Sequence, residues 1–348
     1  MLRDRWLFGR KTGTFTLQWH LTNACPFHCA HCYDRSQREI PSLNEANRIL
    51  SDFLDFCRRS RVQPHLSLSG GDPLLYQHFH ELYRAVAAAG IPTSILGNPI
   101  SRAAIEGLLQ IQAPTYYQVS LEGLQEQNDA IRGPGHFEKV MEFLANARSA
   151  GMETHVMLTL TRANADQVIP LGNLLRGLTA RFTFNRLTQV GNGRLLQPAD
   201  PASFAALLGE YFTARRENPI LGFKDNLFNI VRHQHGRSLL PGCTGFGCGA
   251  AFNFVALLPD GEVHACRKYP SPIGHISRSS FYEIYHSSAA RSHRRGSTAC
   301  AGCPVKKSCG GCPAVSHGQG LVPLRDRDPY CFIHGPPMKS SPGEYAHA

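Results

Sequence analysis

Two groups of cysteines in this chain could bind metal. Cys25, Cys29 and Cys32 lie close together near the N-terminus. Eight more occupy the last third of the chain, and these are Cys243, Cys248, Cys266, Cys300, Cys303, Cys309, Cys312 and Cys331. Four thiolates complete a tetrahedral zinc site or hold an iron–sulfur cluster, whereas three thiolates leave a metal position open for another ligand. The grouping therefore predicts one open three-thiolate site and two closed four-thiolate sites.

The remaining cysteine, Cys57, is predicted to be structural. It shares the apolar face of a helical segment with Ile49, Leu50 and Phe53. We expect its thiol to be buried and to take no part in the chemistry.

Composition and sequence pattern favour a cytoplasmic protein. At 348 residues and 42% hydrophobic content, the chain can form one large domain and a smaller one. It has no run of about 18 apolar residues, and its first residues lack the apolar stretch of a secretory signal. We therefore expect no transmembrane helix and a reducing location, where clustered cysteines bind metal rather than form disulfides.

Segments typical of strands alternate with segments typical of helices. The predicted strands are 14–21, 65–71, 92–98, 115–123, 153–161 and 181–187, and the predicted helices lie near 43–60, 76–89, 101–111, 136–150 and 165–178. Ser42 and Glu45 form a capping-box pattern before the first helix. Such alternation predicts βαβ units and a parallel sheet. Six units favour an α/β fold built as an open, partial (βα)6 barrel similar to a TIM barrel.

The rest of the chain changes character after the barrel. The predicted organisation is an N-terminal lead (1–13), the barrel (14–195), a connecting helical segment (196–240), a cysteine-rich domain (241–334) and a disordered tail (335–348). Glycine and cysteine become frequent after Pro241 while apolar periodicity stops. We expect bound metal to supply much of the folding energy of that domain.

The N-terminal cysteines follow the first predicted strand with the spacing Cys-x3-Cys-x2-Cys. Loops at the carboxyl ends of parallel barrel strands build active sites. A short loop with three thiols can surround one corner of an iron–sulfur cube and leave the fourth iron free. The alternative is a zinc site with His28 or His31 as the fourth ligand.

This loop resembles the signature of the radical S-adenosylmethionine (radical SAM) superfamily. The resemblance implies that Cys25, Cys29 and Cys32 bind a 4Fe–4S cluster whose open iron is chelated by the amino and carboxylate groups of S-adenosylmethionine. One electron from the cluster would cleave that cofactor to methionine and a 5′-deoxyadenosyl radical, which takes a hydrogen atom from the substrate. His31 occupies the position of an aromatic ring near the adenine.

Motifs after later strands extend the resemblance. Gly70, Gly71 and Asp72 are similar to the Gly-Gly-Glu-Pro motif that binds the methionine amino group, with Asp in place of Glu. The other cofactor-binding residues that the resemblance implies are Asn98 after the third strand, Ser120 at the end of the fourth, Arg132 for the carboxylate and Leu187 for adenine. Asn98 follows Leu-Gly where the family often has Thr-Asn-Gly. All are expected on one rim, formed by the carboxyl ends of the strands.

The cysteine-rich segment resembles the SPASM extension, which carries two auxiliary clusters. The turn Asp260-Gly261 predicts a hairpin just before Cys266. The resemblance assigns Cys243, Cys248, Cys266 and Cys312 to a first auxiliary 4Fe–4S cluster and Cys300, Cys303, Cys309 and Cys331 to a second. Two residues separate Cys309 from Cys312 where the family has three. A pair of zinc sites is the alternative.

The basic charge of the chain is smaller once clusters are counted. The formal net charge is +10, and three 4Fe–4S clusters with their eleven thiolates would add about −5. We interpret the remainder first as a solvated basic surface, and the alternative is a surface that binds an acidic peptide or a nucleic acid. No arginine-rich tail or interleaved aromatic pattern is present, so nucleic-acid binding is not expected.

The resemblance sets the reaction type, and the substrate stays open between alternatives. Arg267 stands where anaerobic sulfatase-maturing enzymes carry an Asp, so we place first the maturation of a ribosomally made precursor peptide by a thioether crosslink, a carbon–carbon crosslink or another oxidation. An electron donor such as flavodoxin or ferredoxin is implied. The alternatives are radical modification of a small molecule or tetrapyrrole side chain, and a zinc-bound, non-catalytic interaction protein.

The sequence does not identify a catalytic acid or base on the substrate side. Asp72, Tyr116, Glu122 and Arg186 are all expected on the same rim, and nothing in their spacing chooses among them. The segment before the first strand is short, so leader-peptide binding is expected elsewhere.

Overall fold

The computed structural model describes residues 13–239 and 247–334. Its strands are β1 (Thr14–Thr22), β2 (Gln63–Gly70), β3 (Thr93–Leu96), β4 (Tyr116–Ser120), β5 (Thr154–Leu160), β6 (Arg181–Arg186), β7 (Phe254–Leu257), β8 (Glu262–His264) and β9 (Pro272–His275). Its helices are α1 (Leu43–Ser60), α2 (Phe79–Ala88), α3 (Arg102–Ile111), α4 (Gln125–Arg132), α5 (His136–Ser149), α6 (Val168–Leu174), α7 (Pro201–Glu217), α8 (Phe228–Gln234), α9 (Phe281–His286), α10 (Ser288–Arg295) and α11 (Pro313–Gly318). Cys243, the predicted disordered tail and nearly all of the predicted N-terminal lead lie outside the described residues.

Strands β1 to β6 form a parallel sheet in chain order, and helices α1 to α6 connect them. This confirms the predicted α/β fold with a partial (βα)6 barrel. The sheet continues beyond β1, because β7 pairs with β1 in parallel and β8 and β9 follow antiparallel. The predicted hairpin is the β7–β8 pair.

The side chains of β1 alternate between two environments. Phe15, Leu17 and Trp19 are buried in the hydrophobic core, so Gln18 and His20 lie on the opposite, inner face. Residues that pair across neighbouring strands lie on the same face of the sheet. The inner face of β2 to β6 therefore includes the polar side chains of Ser67, Ser94, Gln118, His155, Thr159 and Asn185. The interior of the barrel is therefore polar.

An aromatic cluster joins the cysteine-rich part of the chain to the barrel. The ring of Phe15 lies 4.7 Å from that of Phe56 and 5.6 Å from that of Tyr285. Phe53 contacts Phe281 at 5.8 Å. This part of the chain was expected to depend on metal for its folding energy, yet apolar packing against β1 and α1 supplies a share of it.

Local signals account for most of the helices. The predicted capping box of Ser42 and Glu45 is confirmed at the start of α1, and Ser101 caps α3. The sequence missed α4, because this short helix buries only Asn128 and therefore lacks an apolar stripe. Within the two described ranges, none of the helices is both long enough and apolar enough to cross a membrane.

We predict that Phe15→Ala destabilises the protein by about 3–5 kcal/mol, since it removes a buried ring from the junction of β1, α1 and α9. The matched control is Leu195→Ala at a side chain that is 88% exposed, which should change stability by no more than about 0.5 kcal/mol. Urea denaturation followed by circular dichroism measures both. A loss below about 1 kcal/mol for Phe15→Ala would contradict the assigned packing.

Candidate functional site

Cys25, Cys29 and Cys32 lie in the loop that leaves the carboxyl end of β1. Backbone hydrogen bonds join this cysteine loop to the segments after β2, β4 and β6. They run from Gly71 N to Thr22 O (2.7 Å), Asp72 N to Ala24 O (2.7 Å), Ala30 N to Ile131 O (2.9 Å) and Asn192 N to Cys32 O (2.9 Å). The three thiols are thus fixed at the carboxyl rim by the neighbouring loops.

Gly70, Gly71 and Asp72 lie directly against the cysteine loop. A Cβ at Gly71 would collide with the carbonyl of Ala24, and Gly70 has a φ of +149°, so both positions favour glycine. The Asp72 carboxylate accepts from Leu74 N (3.2 Å) and from Asn98 Nδ2 (3.0 Å).

Asn98 connects this motif to the first cysteine. Its Nδ2 lies 3.8 Å from Cys25 Sγ while it donates to Asp72. The amide therefore points an N–H group toward a sulfur, which is a favourable arrangement for a metal-bound thiolate. Tyr117 holds the backbone in place by donating from its hydroxyl to Asn98 O (2.8 Å).

Arg132 reaches the cysteine loop from the end of α4. Its Nη1 lies 3.7 Å from Cys29 Sγ, while Nε and Nη2 donate to Glu122 Oε1 at 3.0 and 2.5 Å. His31 Nε2 contacts the same carboxylate oxygen at 3.0 Å. A carboxylate, a guanidinium and an imidazole thus form one cluster beside Cys29.

Glu122 is the buried anion of this cluster. Burial by itself raises the pKa of its carboxyl, but the charges of His31 and Arg132 and their hydrogen bonds outweigh burial and lower the pKa to about 2. The other oxygen accepts from Thr159 N at 2.7 Å. The carboxylate therefore stays ionised and orients Arg132.

Two further predicted residues also lie on the rim. Ser120 ends β4 and is half-buried. Leu187 follows β6, and its backbone N donates to Leu160 O (3.0 Å). A Cβ added to Gly193 would lie 3.4 Å from Leu187 Cδ1 and 3.5 Å from His31 O, so Leu187 borders the cysteine loop.

The position of Tyr116 and the availability of Arg186 differ from the prediction. Tyr116 opens β4 at its amino end, away from the rim, and its ring stacks on His155 at 4.0 Å. Arg186 does end β6 on the rim, but it is fully engaged in ion pairs with Asp225 and Asp328. Neither is free to act as a substrate-side acid or base in this arrangement.

The sequence interpretation missed the contact that Asn192 makes with Cys32. The segment Gly191-Asn192-Gly193 lies at the end of the predicted barrel range, and none of its residues was among the predicted site residues. The available signal was a pair of glycines soon after the last barrel strand, at the same rim as the other motifs, where close backbone approach needs glycine.

Four C-terminal cysteines line a common recess. Cys300, Cys303, Cys309 and Cys331 line this recess together with Leu227, Ile230 and Val305. These are the four thiols that the sequence assigned to the second auxiliary cluster. Burial raises the pKa of Cys309 and of Cys331, so metal loading must release protons from these thiols.

Three cysteines of the other set lie around Tyr269. Burial raises the pKa of its phenol, and negative charge on Cys266, Cys248 and Cys312 raises it further. Each of these thiols therefore lies near the Tyr269 phenol, and Cys243, the predicted fourth member, is outside the described residues. Burial also raises the pKa of Cys312 to about 11, while the charge of Arg186 lowers it.

The zinc alternative would require ligands gathered around a single ion. Across residues 13–239 and 247–334, no group of three or more His, Cys, Asp or Glu side chains is arranged to hold one ion.

Cys57 is buried on α1, and burial raises the pKa of its thiol to about 12. Its structural assignment is consistent with this position.

Family comparisons match both parts of the chain. Residues 19–175 match the model of the radical SAM superfamily. Residues 248–313 match the SPASM iron–sulfur cluster-binding domain.

Similar proteins are found among characterised enzymes and solved structures. Mycofactocin maturase MftC of Mycolicibacterium smegmatis is 30% identical over 335 residues, covering 90% of this chain and 82% of its own. The AdoMet-dependent heme synthase of Nitratidesulfovibrio vulgaris is 25% identical, with 86% and 88% covered. The structure of Streptococcus suis SuiB bound to precursor peptide SuiA superposes with a TM-score of 0.73 at 16% identity, covering 92% of this chain and 76% of that one.

We predict that Glu122→Gln destabilises the metal-free protein by about 3–5 kcal/mol at pH 7, because Arg132 loses its buried partner. The folded-state pKa of about 2 lies below the ordinary value, so the stabilisation is present above about pH 4.3 and is lost as pH falls toward 2. Urea denaturation at pH 7 and at pH 3 should show the difference between parent and variant shrinking in acid. Equal stability at pH 7 would contradict the assigned ion pair.

Proposed function

The chain belongs to the radical SAM superfamily and is a radical SAM enzyme with a SPASM domain, and on this basis we propose that it modifies a ribosomally synthesised peptide. The product would carry a thioether crosslink, a carbon–carbon crosslink or another oxidation. The observation that carries the proposal is the 30% identity with a maturase over 90% of this chain. The radical chemistry is supported by the convergence of the cysteine loop with Asp72, Asn98 and Arg132 on the rim of an open barrel.

Peptide modification is supported by relatives and by the shape of the barrel. The relative with 30% identity is named a maturase, and the similar fold of SuiB has been solved with its precursor peptide. The six-stranded barrel is open and its interior is polar, with Gln118 and Asn185 partly exposed. A peptide backbone needs hydrogen-bonding partners when it leaves water, and such side chains can provide them.

The donor set around the cysteine loop fits an iron–sulfur cluster and S-adenosylmethionine. Cys25, Cys29 and Cys32 would hold the cluster, with N–H groups of Asn98 and Arg132 directed at two of the sulfurs. When bound, the cluster would supply the electron, and S-adenosylmethionine would supply the organic radical that takes hydrogen from the substrate.

The chain's own residues bind and orient that cofactor. Gly70 and Gly71 allow close backbone approach, and Asp72 retains acceptor capacity for an ammonium group beyond its two hydrogen bonds. Nη1 of Arg132 is not used by Glu122 and can donate to a carboxylate. Ser120 and Leu187 complete the rim, with Leu187 offering an apolar surface for adenine.

We assign two auxiliary 4Fe–4S clusters to the C-terminal cysteines, which makes three clusters in all. The first would be held by Cys243, Cys248, Cys266 and Cys312, and the second by Cys300, Cys303, Cys309 and Cys331. The recess lined by the second set and the position of three members of the first set near Tyr269 support this assignment. A flavodoxin or ferredoxin would deliver the electron to the enzyme.

The domain organisation and location are part of the same proposal. The barrel (14–195), the connecting segment (196–240) and the SPASM domain (241–334) would be the functional units, although β7 to β9 extend the barrel sheet. No disulfide joins the eleven cysteines of the described residues. This supports a reducing, cytoplasmic location.

Modification of a tetrapyrrole side chain is the second candidate. Similarity to a heme synthase favours a tetrapyrrole substrate, at 25% identity over 86% of this chain and 88% of that enzyme. The identity with the maturase is higher, which is why the peptide is ranked first.

We predict that Cys29→Ala abolishes reductive cleavage of S-adenosylmethionine and removes about four iron atoms per chain. Cys57→Ala is the matched control, because it removes a buried thiol outside the site and should keep both properties. Anaerobic reconstitution, an iron assay and chromatography of 5′-deoxyadenosine measure the outcome. Retained cleavage in Cys29→Ala would exclude the cysteine loop from the mechanism.

The substrate is tested by a direct comparison. Reduced enzyme with S-adenosylmethionine is offered short candidate precursor peptides encoded in the same genome. It should convert one of them to a product that lacks two hydrogens per crosslink, as measured by mass spectrometry. Iron coproporphyrin is offered under the same conditions. An altered tetrapyrrole with an unchanged peptide would replace the first proposal by the second.

A further inference from the structure

One carboxylate lies where the loops of both C-terminal cysteine sets meet. Oδ2 of Asp328 accepts from Cys312 N at 2.7 Å, and Cys312 belongs to the first set. The backbone carbonyl of Asp328 accepts from Cys331 N at 2.9 Å, and Cys331 belongs to the second set. Asp328 therefore contacts the main chain at one proposed ligand of each cluster.

The loop between the two sets is packed against the same side chain. Cys309 and Cys312 belong to different sets and are separated only by Gly310 and Gly311. A Cβ at Gly311 would lie 2.8 Å from Asp328 Cβ, and Gly311 has a φ of +65°. The short loop therefore fits against Asp328 only with glycine at this position.

Arg186 connects Asp328 to the barrel. This residue ends β6, and its Nη1 and Nη2 donate to the two oxygens of Asp328 at 2.7 and 2.9 Å. Its Nε donates to Asp225 Oδ2 at 2.7 Å. Phe204 and Tyr330 place their rings 5.2 and 4.9 Å from the guanidinium carbon. The guanidinium is thus paired on both edges and packs against two rings that contact each other at 5.3 Å.

All three charged side chains are buried. The exposed fractions are 3% for Arg186, 7% for Asp225 and 2% for Asp328. Asp225 and Asp328 both compensate this guanidinium, and the positive charge of Lys268 also lies near Cys312 and Asp225. A buried ion pair of this kind contributes little net stability compared with apolar packing, but it fixes geometry.

We propose that Asp328 is a positioning residue that fixes the separation of the two auxiliary clusters and connects both to the barrel through Arg186. This inference rests on the proposed function, which assigns an iron–sulfur cluster to each cysteine set. Asp328 also supplies a negative charge near both clusters, and negative charge makes a cluster harder to reduce.

The variant Asp328→Asn tests this role. Each carboxylate oxygen accepts from one backbone N–H and one guanidinium N–H, since Tyr330 N donates to Oδ1 at 2.9 Å. The side-chain amide of asparagine has one accepting oxygen, and its NH2 group would face the N–H donors that the second carboxylate oxygen accepts from. Asp328→Asn should raise the midpoint potentials of both auxiliary clusters and change the magnetic interaction between them. The potential of the N-terminal cluster should not move.

The matched control is Asp326→Asn, which makes the same charge change two residues away. Asp326 is partly exposed and bonds to Val322 N and Arg325 rather than to a cysteine loop. Redox titration followed by electron paramagnetic resonance, on fully loaded protein, compares both variants with the parent. Potentials and interaction that match the parent in Asp328→Asn would overturn the inference.

A second variant covers the case in which Asp328→Asn does not fold or load. Arg186→Lys keeps the positive charge. A lysine ammonium cannot donate to both carboxylate oxygens of Asp328 and to Asp225 at the same time. This variant should change the magnetic interaction between the auxiliary clusters, and an unchanged interaction would also overturn the inference. If Asp328→Asn changes the cluster potentials but the parent enzyme modifies no peptide, only the proposed peptide substrate is refuted. If the parent enzyme modifies the peptide but Asp328→Asn changes neither the cluster potentials nor their magnetic interaction, only this inference is refuted.

Discussion

The structure of the site depends on backbone hydrogen bonds that fix the loop after β1. A loop with three thiols has no apolar core of its own, so its shape must be set by its neighbours. The parallel sheet supplies those neighbours, because the carboxyl ends of β2, β4 and β6 bring the segments around Asp72, Ile131 and Asn192 within hydrogen-bonding distance. Without the sheet, the three cysteines would be close in sequence but not fixed in space.

Buried charge supports the N-terminal and the C-terminal groups of cysteines in a similar manner. Glu122 orients Arg132 beside Cys29, and Asp328 with Asp225 orients Arg186 beside the C-terminal loops. In each case a carboxylate that is 1–2% exposed compensates a guanidinium. Because the planar guanidinium donates in fixed directions, these pairs determine geometry more than stability.

Local patterns in the sequence predicted the elements that depend on local physics. The period-two strands, the Ser42 cap and the apolar face with Cys57 could all be identified, since a few neighbouring residues determine each of them. The pairing of β7 with β1 could not, because it joins segments more than 200 residues apart. Polar α4 lacked the apolar period, and Tyr116 was assigned to the wrong end of its strand because strand starts are poorly marked in sequence. The ion pairs of Arg186 are long-range contacts that no spacing indicates.

The central claim is that three separate cysteine sets bind iron–sulfur clusters, with one cluster at the rim of the barrel. An anomalous-difference map collected at the iron absorption edge from anaerobically grown crystals tests it most directly. The account predicts three separate iron peaks, one of them bordered by Cys25, Cys29 and Cys32 and two by the C-terminal cysteines. Zinc in place of iron at these positions, or no iron beside Cys25, Cys29 and Cys32, would contradict it.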